Sequence, residues 1–274
     1  IYVKGAFPGQ TVKATVKKKR DEYAEAKLVE VIERAEYEIP APCPHFGVCG
    51  GCSSQNLTYE KQLEFLSDEI CELFEARDLP MGMYLGVKGS ENCWEYRNKM
   101  EFSFGDEYKD GPLSLGLHKK GSTYDVLTAG DCQLVHEDMD KILLCVLNYF
   151  KERNVSYYKK MQHVGYLRHL LLRRGDTTGE ILVNLVTTTQ EEYDLTPLVE
   201  ELLALELEGK IVGILHILND SLSDVVKSDE TRILYGQDFF YEKLLGLEFK
   251  ITPFSFFQPN SKGAEVLYET VREY

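Results

Sequence analysis

Cys43-Pro44-His45-Phe46-Gly47-Val48-Cys49-Gly50-Gly51-Cys52-Ser53-Ser54-Gln55 carries three thiols within ten residues, interrupted by proline and glycine. Gly47, Gly50 and Gly51 permit the sharp backbone curvature that closely spaced ligands need. The spacing, C-x5-C-x2-C, leaves a closed tetrahedral site one ligand short, so a fourth must come from elsewhere in the chain. Cys145 lies in the apolar run Ile142-Leu143-Leu144-Cys145-Val146-Leu147, where a small thiol serves as packing. Cys71 reads the same way, and Cys93 precedes Trp94 with no glycine to bend its approach. Cys132 instead follows Gly130-Asp131 at an expected strand-to-helix turn, where a side chain can point out of the core. It is the best fourth candidate. Four thiolates suit an iron–sulfur cluster or a structural zinc, with buried thiols or disulfides as the plain alternative.

Outward from this loop, the flanking sequence alternates between strand and helix signals. Thr11 to Val16 and Ala24 to Val31 read as strands around a charged turn at Lys17 to Glu22, as in part of a small β-barrel. Thr58 is an N-cap for a helix to Asp78, with Leu63, Leu66, Ile70, Leu73 and Phe74 at helical spacing. Met100, Phe102 and Phe104 alternate with Glu101 and Ser103 in a half-buried strand, and strands continue to Leu127. A helix is expected from His136 to Arg153, strands at Arg168 to Arg174 and Glu180 to Thr187, a helix at Thr196 to Leu205, and an apolar strand at Ile211 to Leu218. The expected fold class is α+β: a partial barrel over residues 1–38, a central α/β domain over 39–251, and the start of a further domain over 252–274. The chain opens at Ile1 within strand-like sequence and stops at Tyr274 inside an amphipathic helix from Ser261, so it reads as an excerpt of a longer protein.

Composition bounds the function. Seven cysteines, unevenly spread, do not resemble a secreted disulfide framework and fit a reducing cytoplasm. No run of about 18 apolar residues marks a membrane span. A net charge of −14 counts against nonspecific nucleic-acid binding but leaves local basic patches open. The candidates are Lys17-Lys18-Lys19-Arg20, Lys119-Lys120, Lys159-Lys160 and Arg173-Arg174, each of which reads by itself as a solvated turn or strand end. The five-residue first gap also differs from the C-x3-C-x2-C of enzymes that cleave adenosylmethionine by radical chemistry. A fully ligated cluster with a structural or redox-sensing role is expected instead.

The Cys loop, with Tyr59 to Gln62 opening the helix after it, resembles the iron–sulfur motif of the RNA (uracil-5-)-methyltransferases. Tyr96-Arg97-Asn98-Lys99-Met100-Glu101-Phe102-Ser103-Phe104, Gly130-Asp131-Cys132-Gln133 and Phe254-Ser255-Phe256-Phe257-Gln258-Pro259-Asn260 resemble further blocks of that family in the same order. Gly5 to Val12 is similar to its N-terminal TRAM barrel, and the pattern is most similar to the 23S ribosomal RNA enzymes. The resemblance implies a 4Fe–4S cluster on Cys43, Cys49, Cys52 and Cys132. It also implies S-adenosyl-L-methionine as methyl donor, with Gln258 lining the donor and uracil site, and Asn260 capping the first helix of a Rossmann-like catalytic domain. Arg97, Asn98 and Lys99 become candidates for RNA contact, against the plainer reading that Arg97 and Lys99 decorate an exposed strand face. In that family a cysteine thiolate adds to uracil C6 and a base later removes the C5 proton. Neither residue has a matching position here, so no catalytic residue is assigned in this chain, which would recognise 23S rRNA and be inactive alone. A monomer is expected. The alternatives are a non-catalytic RNA-binding module with a structural iron–sulfur or zinc site and, less in keeping with the barrel, an electron-transfer protein.

Overall fold

The computed structural model describes residues 1–223, 226 and 228–274. The chain forms two compact units, residues 1–42 with 54–87 and residues 43–53 with 88–274. In the first, β1 (Tyr2–Lys4), β2 (Thr11–Lys19) and β3 (Ala24–Glu33) make an open sheet in the order β1-β3-β2. β2 runs on through Lys17 to Lys19, so the charged turn shrinks and closes with Arg20 N–H donating to Tyr23 O at 2.8 Å. Lysines suit that edge, because they keep both its faces in water and discourage further pairing.

α1 (Tyr59–Glu75) begins as its sequence dictates, with Thr58 Oγ1 accepting from Lys61 N–H at 3.3 Å. Its expected apolar stripe does not become a core. Leu66, Ile70 and Leu73 are exposed, and it is Phe65 that stacks on Phe7 and meets Tyr37 edge-on. A three-stranded sheet offers too little area to cover a full helix face.

The second unit is built on a seven-stranded sheet. Its elements are β4 (Lys99–Asp106), β5 (Leu113–His118), β6 (Val126–Thr128), α2 (Glu137–Glu152), β7 (Leu167–Arg174), β8 (Glu180–Thr187), α3 (Thr196–Leu203), β9 (Lys210–Leu218), β10 (Glu230–Gly236), β11 (Phe240–Leu244), β12 (Leu247–Ile251) and α4 (Ser261–Glu273). The strand order is β10-β9-β8-β7-β4-β5-β6, antiparallel except where α3 carries the chain between parallel β8 and β9. One face packs Met100, Phe102 and Phe104 against Met139, Ile142, Val146 and Phe150 of α2 and Leu198 and Leu202 of α3. Leu182, Val186, Leu215 and Ile217 form a second core on the other face with Phe240 and Ile251 of the β11–β12 hairpin. No described helix is long and apolar enough to cross a membrane.

Arg173-Arg174 is not a solvated strand end. β7 lies between β4 and β8 and is buried along its whole length, which forces its arginines to find partners inside. Arg174 Nε meets Asp138 Oδ2 at 3.0 Å, and both residues are buried. The β11–β12 hairpin escaped sequence reading because its two-residue turn is Leu245-Gly246, with φ of 48° and 79°. A leucine with positive φ carries none of the usual Asn-Gly signal of such a turn.

Candidate functional site

The Cys loop is tied to the sheet from two sides. Gly50 N–H donates to His118 O at 2.9 Å and Lys120 N–H to Val48 O at 2.7 Å, which places Cys49 opposite Lys119. A side chain at Gly50 would bring its Cβ to 3.0 Å from the His118 carbonyl, so this close approach favours glycine. His45 Nε2 bonds Gly130 O at 2.5 Å and joins the loop to the turn that carries Cys132. Asp131 takes a φ of 61° in that turn, and the backbone groups of Asp131 and Cys132 bond the Asp140 carboxyl. Burial, with Asp131 adding to it, pushes Asp140 up to about 7 against those bonds.

Burial pushes the Cys132 thiol up to about 11, opposed by a backbone bond from Leu134. Asp140, Cys43 and Cys52 raise it further, so these three sulfurs lie close enough for their charges to interact. Cys49 Sγ accepts from Gly51 N–H at 3.3 Å. Backbone donors aimed at sulfur suit thiolate ligands, whose charge they stabilise. Among the described residues no three His, Cys, Asp or Glu side chains close on a point as a single-ion site requires. By chemical type, cysteine thiols are the donors an iron–sulfur cluster takes, and three of the four, Cys43, Cys52 and Cys132, lie within electrostatic reach of one another.

On the same unit, Arg97, Lys99 and Arg173 share a cleft of about 510 Å³ with Phe254, Phe256 and Pro259. Phe256 is 85% exposed, so its ring face is open at the cleft. Arg97 and Lys99 are half-buried, with Arg97 Nε bonding Lys99 O at 3.3 Å and Lys99 paired to Glu101 at 2.6 Å. Asn98 points the other way. It is buried, and its amide donates to Gln258 O at 2.8 Å and Ser261 Oγ at 3.0 Å. Ser261 in turn donates to Glu242 Oε2 at 3.0 Å, while Glu242 accepts the backbone N–H groups of Asp176, Thr177 and Lys243. This network anchors Gln258 and the start of α4, where Asn260 accepts from Gly263 N–H at 2.7 Å as its residue type led one to expect. The Gln258 side chain is half-buried and has no hydrogen-bond partner among the described residues.

An uncharacterized RNA methyltransferase of Clostridium tetani is 50% identical over 274 residues, matching 100% of this chain and 60% of the relative. Another from Clostridium acetobutylicum is 49% identical with the same coverage. The chain is similar to RNA methyltransferases from end to end. It spans about 60% of the length of the curated relatives it matches. No family model matches it. Its fold is that of the tRNA (uracil-54, C5)-methyltransferase of Pyrococcus abyssi, solved with S-adenosyl-L-homocysteine, at a TM-score of 0.75 and 23% identity over 99% of this chain and 60% of that one.

Two residues of this unit, Asp140 and Glu242, escaped sequence reading, and a third, Arg173, was read only as part of a basic pair. Asp140 gave only the signal of an acidic residue in the first turn of a helix, which the helix dipole explains equally well. Glu242 sat in a segment with no strand pattern. Arg173 stood in the sequence as half of an exposed-looking pair, and only the neighbours of β7 show that it lines a cleft.

Proposed function

We propose that the intact protein containing this chain transfers a methyl group to uracil C5 in RNA, and that residues 1–274 hold and orient the RNA. The observation that carries this reading is the cleft in which the family blocks at Tyr96 to Phe104 and Phe254 to Asn260 meet, with cationic side chains beside an exposed aromatic ring. Cations that track phosphates and a ring on which a base can stack are what an unpaired RNA strand needs. End-to-end similarity to RNA methyltransferases supports it.

S-adenosylmethionine would supply the methyl group, and the unpartnered amide of Gln258 is the group in this chain assigned to meet it. The catalytic thiol and base are assigned outside these 274 residues, in keeping with the greater length of the relatives. Asn98 acts in this scheme by fixing Gln258, while Arg97 and Lys99 contact RNA. Cys43, Cys49, Cys52 and Cys132 would hold a 4Fe–4S cluster, which supplies a covalent cross-link between the loop and the Cys132 turn. The role is architectural. Residues 1–38 would serve as a TRAM-like RNA-binding module, and 252–274 as the entry to the catalytic domain.

The sequence blocks favour 23S rRNA as substrate, whereas the structural neighbour is named for tRNA. The test is transfer of labelled methyl from S-adenosylmethionine to both RNAs by the intact protein, with the product nucleoside identified. Label at uracil C5 of 23S rRNA is expected. RNA binding without methyl transfer would leave an RNA-binding module, and label in tRNA alone would reassign the substrate.

A further inference from the structure

The cleft beside Arg97 contains an arrangement of charge that RNA recognition in general does not require. Lys99 and Arg173 face each other directly across β4 and β7. Like charges in that relation oppose sheet formation. Arg97 lies two residues along the chain from Lys99 and lines the same cleft, in a protein of net charge −14. Among the residues lining the cleft Glu101 is the one carboxylate, and it is already paired to Lys99.

Arg173 is 3% exposed, and one end of its guanidinium donates to Ser255 O at 2.5 Å. Its Nε–H is buried and has no partner. Burial pushes the guanidinium down to about 10, with Glu101 opposing. A buried donor left unspent is costly, and more so on a charged group. The adjoining network of Asn98, Ser261 and Glu242 is hydrogen-bonded, while on the same strand Arg168 Nε and on the neighbouring strand Asn184 Oδ1 are likewise buried without a partner. What distinguishes Arg173 is that it lines the cleft. A tetrahedral anion in the cleft would satisfy the free donor and relieve the repulsion between Lys99 and Arg173 together.

We propose that Arg173, with Lys99 and Arg97, forms a seat for one backbone phosphate of the RNA strand, the Arg173 fork donating to phosphate oxygens while still holding Ser255. The proposal rests on the RNA reading above and deepens it. Arginine suits this place because its planar fork can serve a carbonyl and a phosphate at once, which a lysine ammonium on a flexible stem does less well. Arg173 is thus a binding and positioning residue, remote from the bonds that change.

The experiment is equilibrium binding of a uridine-containing single-stranded RNA oligonucleotide to the intact protein over a salt series. Loss of one phosphate contact should make the slope of log K against log salt shallower by about 0.7. R173Q is expected to show that change with roughly tenfold weaker binding at low salt. R173K, which keeps the charge but loses the fork, is expected to bind more weakly with an unchanged slope. Should R173Q fail to fold, K99Q at the half-buried edge of the cleft carries the test and should lose the same increment of slope. Slopes equal to wild type in R173Q, or in K99Q where R173Q does not fold, overturn the seat while leaving RNA binding standing. A wild-type protein that binds no RNA overturns both the seat and the reading beneath it.

Discussion

Glu242→Gln isolates the network that holds the Gln258 turn. The Glu242 carboxylate is fully buried and meets four donors: Asp176 N–H at 2.6 Å and Ser261 Oγ at 3.0 Å on Oε2, and Thr177 N–H at 3.0 Å and Lys243 N–H at 2.9 Å on Oε1. Glutamine keeps the shape but turns one oxygen into a donor. Its better orientation directs the NH2 toward Ser261, whose oxygen can accept if its O–H turns to another acceptor, so among the backbone donors that of Asp176 alone is left facing another donor. One stranded buried donor costs about 1–3 kcal/mol. For a chain of this size each kcal/mol lowers Tm by roughly 2–4 °C, so a fall of about 2–12 °C is expected in the transition of the second unit. Glu242→Ala strands all four donors and should cost about 3–6 kcal/mol. Calorimetry or near-UV circular dichroism would measure both, and under the proposed function methyl transfer by the intact protein should fall with Glu242→Gln because Ser261, Asn98 and Gln258 lose their common anchor. A Glu242→Gln protein with wild-type Tm would refute the reasoning, because it would mean these contacts are replaceable by water.

On the proposed 4Fe–4S assignment, Cys132→Ser should lose the visible charge-transfer absorbance and most of the iron that the assignment expects in the wild type, and an unchanged spectrum would refute the four-ligand assignment. Asp138 is buried, which by itself would raise its pKa, yet the amides of Gly209 and Glu208 and the Arg174 guanidinium hold it below the usual carboxylate range. Its stabilisation is therefore present above the unfolded carboxylate pKa, near 4, and lost as pH falls through the lower folded value. Asp138→Asn should be less stable than wild type at pH 7, and the two melting curves should converge toward strongly acidic pH. His216 is pushed down to about 4 by burial, with Arg232 adding to the effect, and its Nε2 bonds Thr187 Oγ1 at 2.8 Å. The unfolded chain takes up this proton near pH 6.5, so stability is full above that pH and declines by about 3 kcal/mol as it falls to pH 4. His216→Gln should flatten this part of the pH–stability profile, and an unaltered profile would show that other groups set it.

Much of the second unit was legible as period and punctuation. Met100, Phe102 and Phe104 announced a half-buried strand, His136 and Thr58 announced helix starts, and the structure puts elements at those places. Periodicity reports the surface that an element could bury, not the surface its neighbours supply. For that reason the Leu66, Ile70 and Leu73 stripe was legible yet misleading, since the small sheet beside it cannot cover it.

The sequence by itself determined the chemistry available: three thiols on a glycine-bent loop, a fourth after a turn, and family blocks separated by long stretches of chain. Spacing along a chain is a local quantity, and it singled out Cys43, Cys49 and Cys52 as candidates. The tertiary structure decided which distant groups meet. The His45–Gly130 bond brings the loop to Cys132, and the pairing of β4 with β7 sets Lys99 against Arg173. The same burial of β7 turned Arg173 from a surface charge into an unspent donor, because solvation depends on what packs around a residue. No pattern within one strand records that.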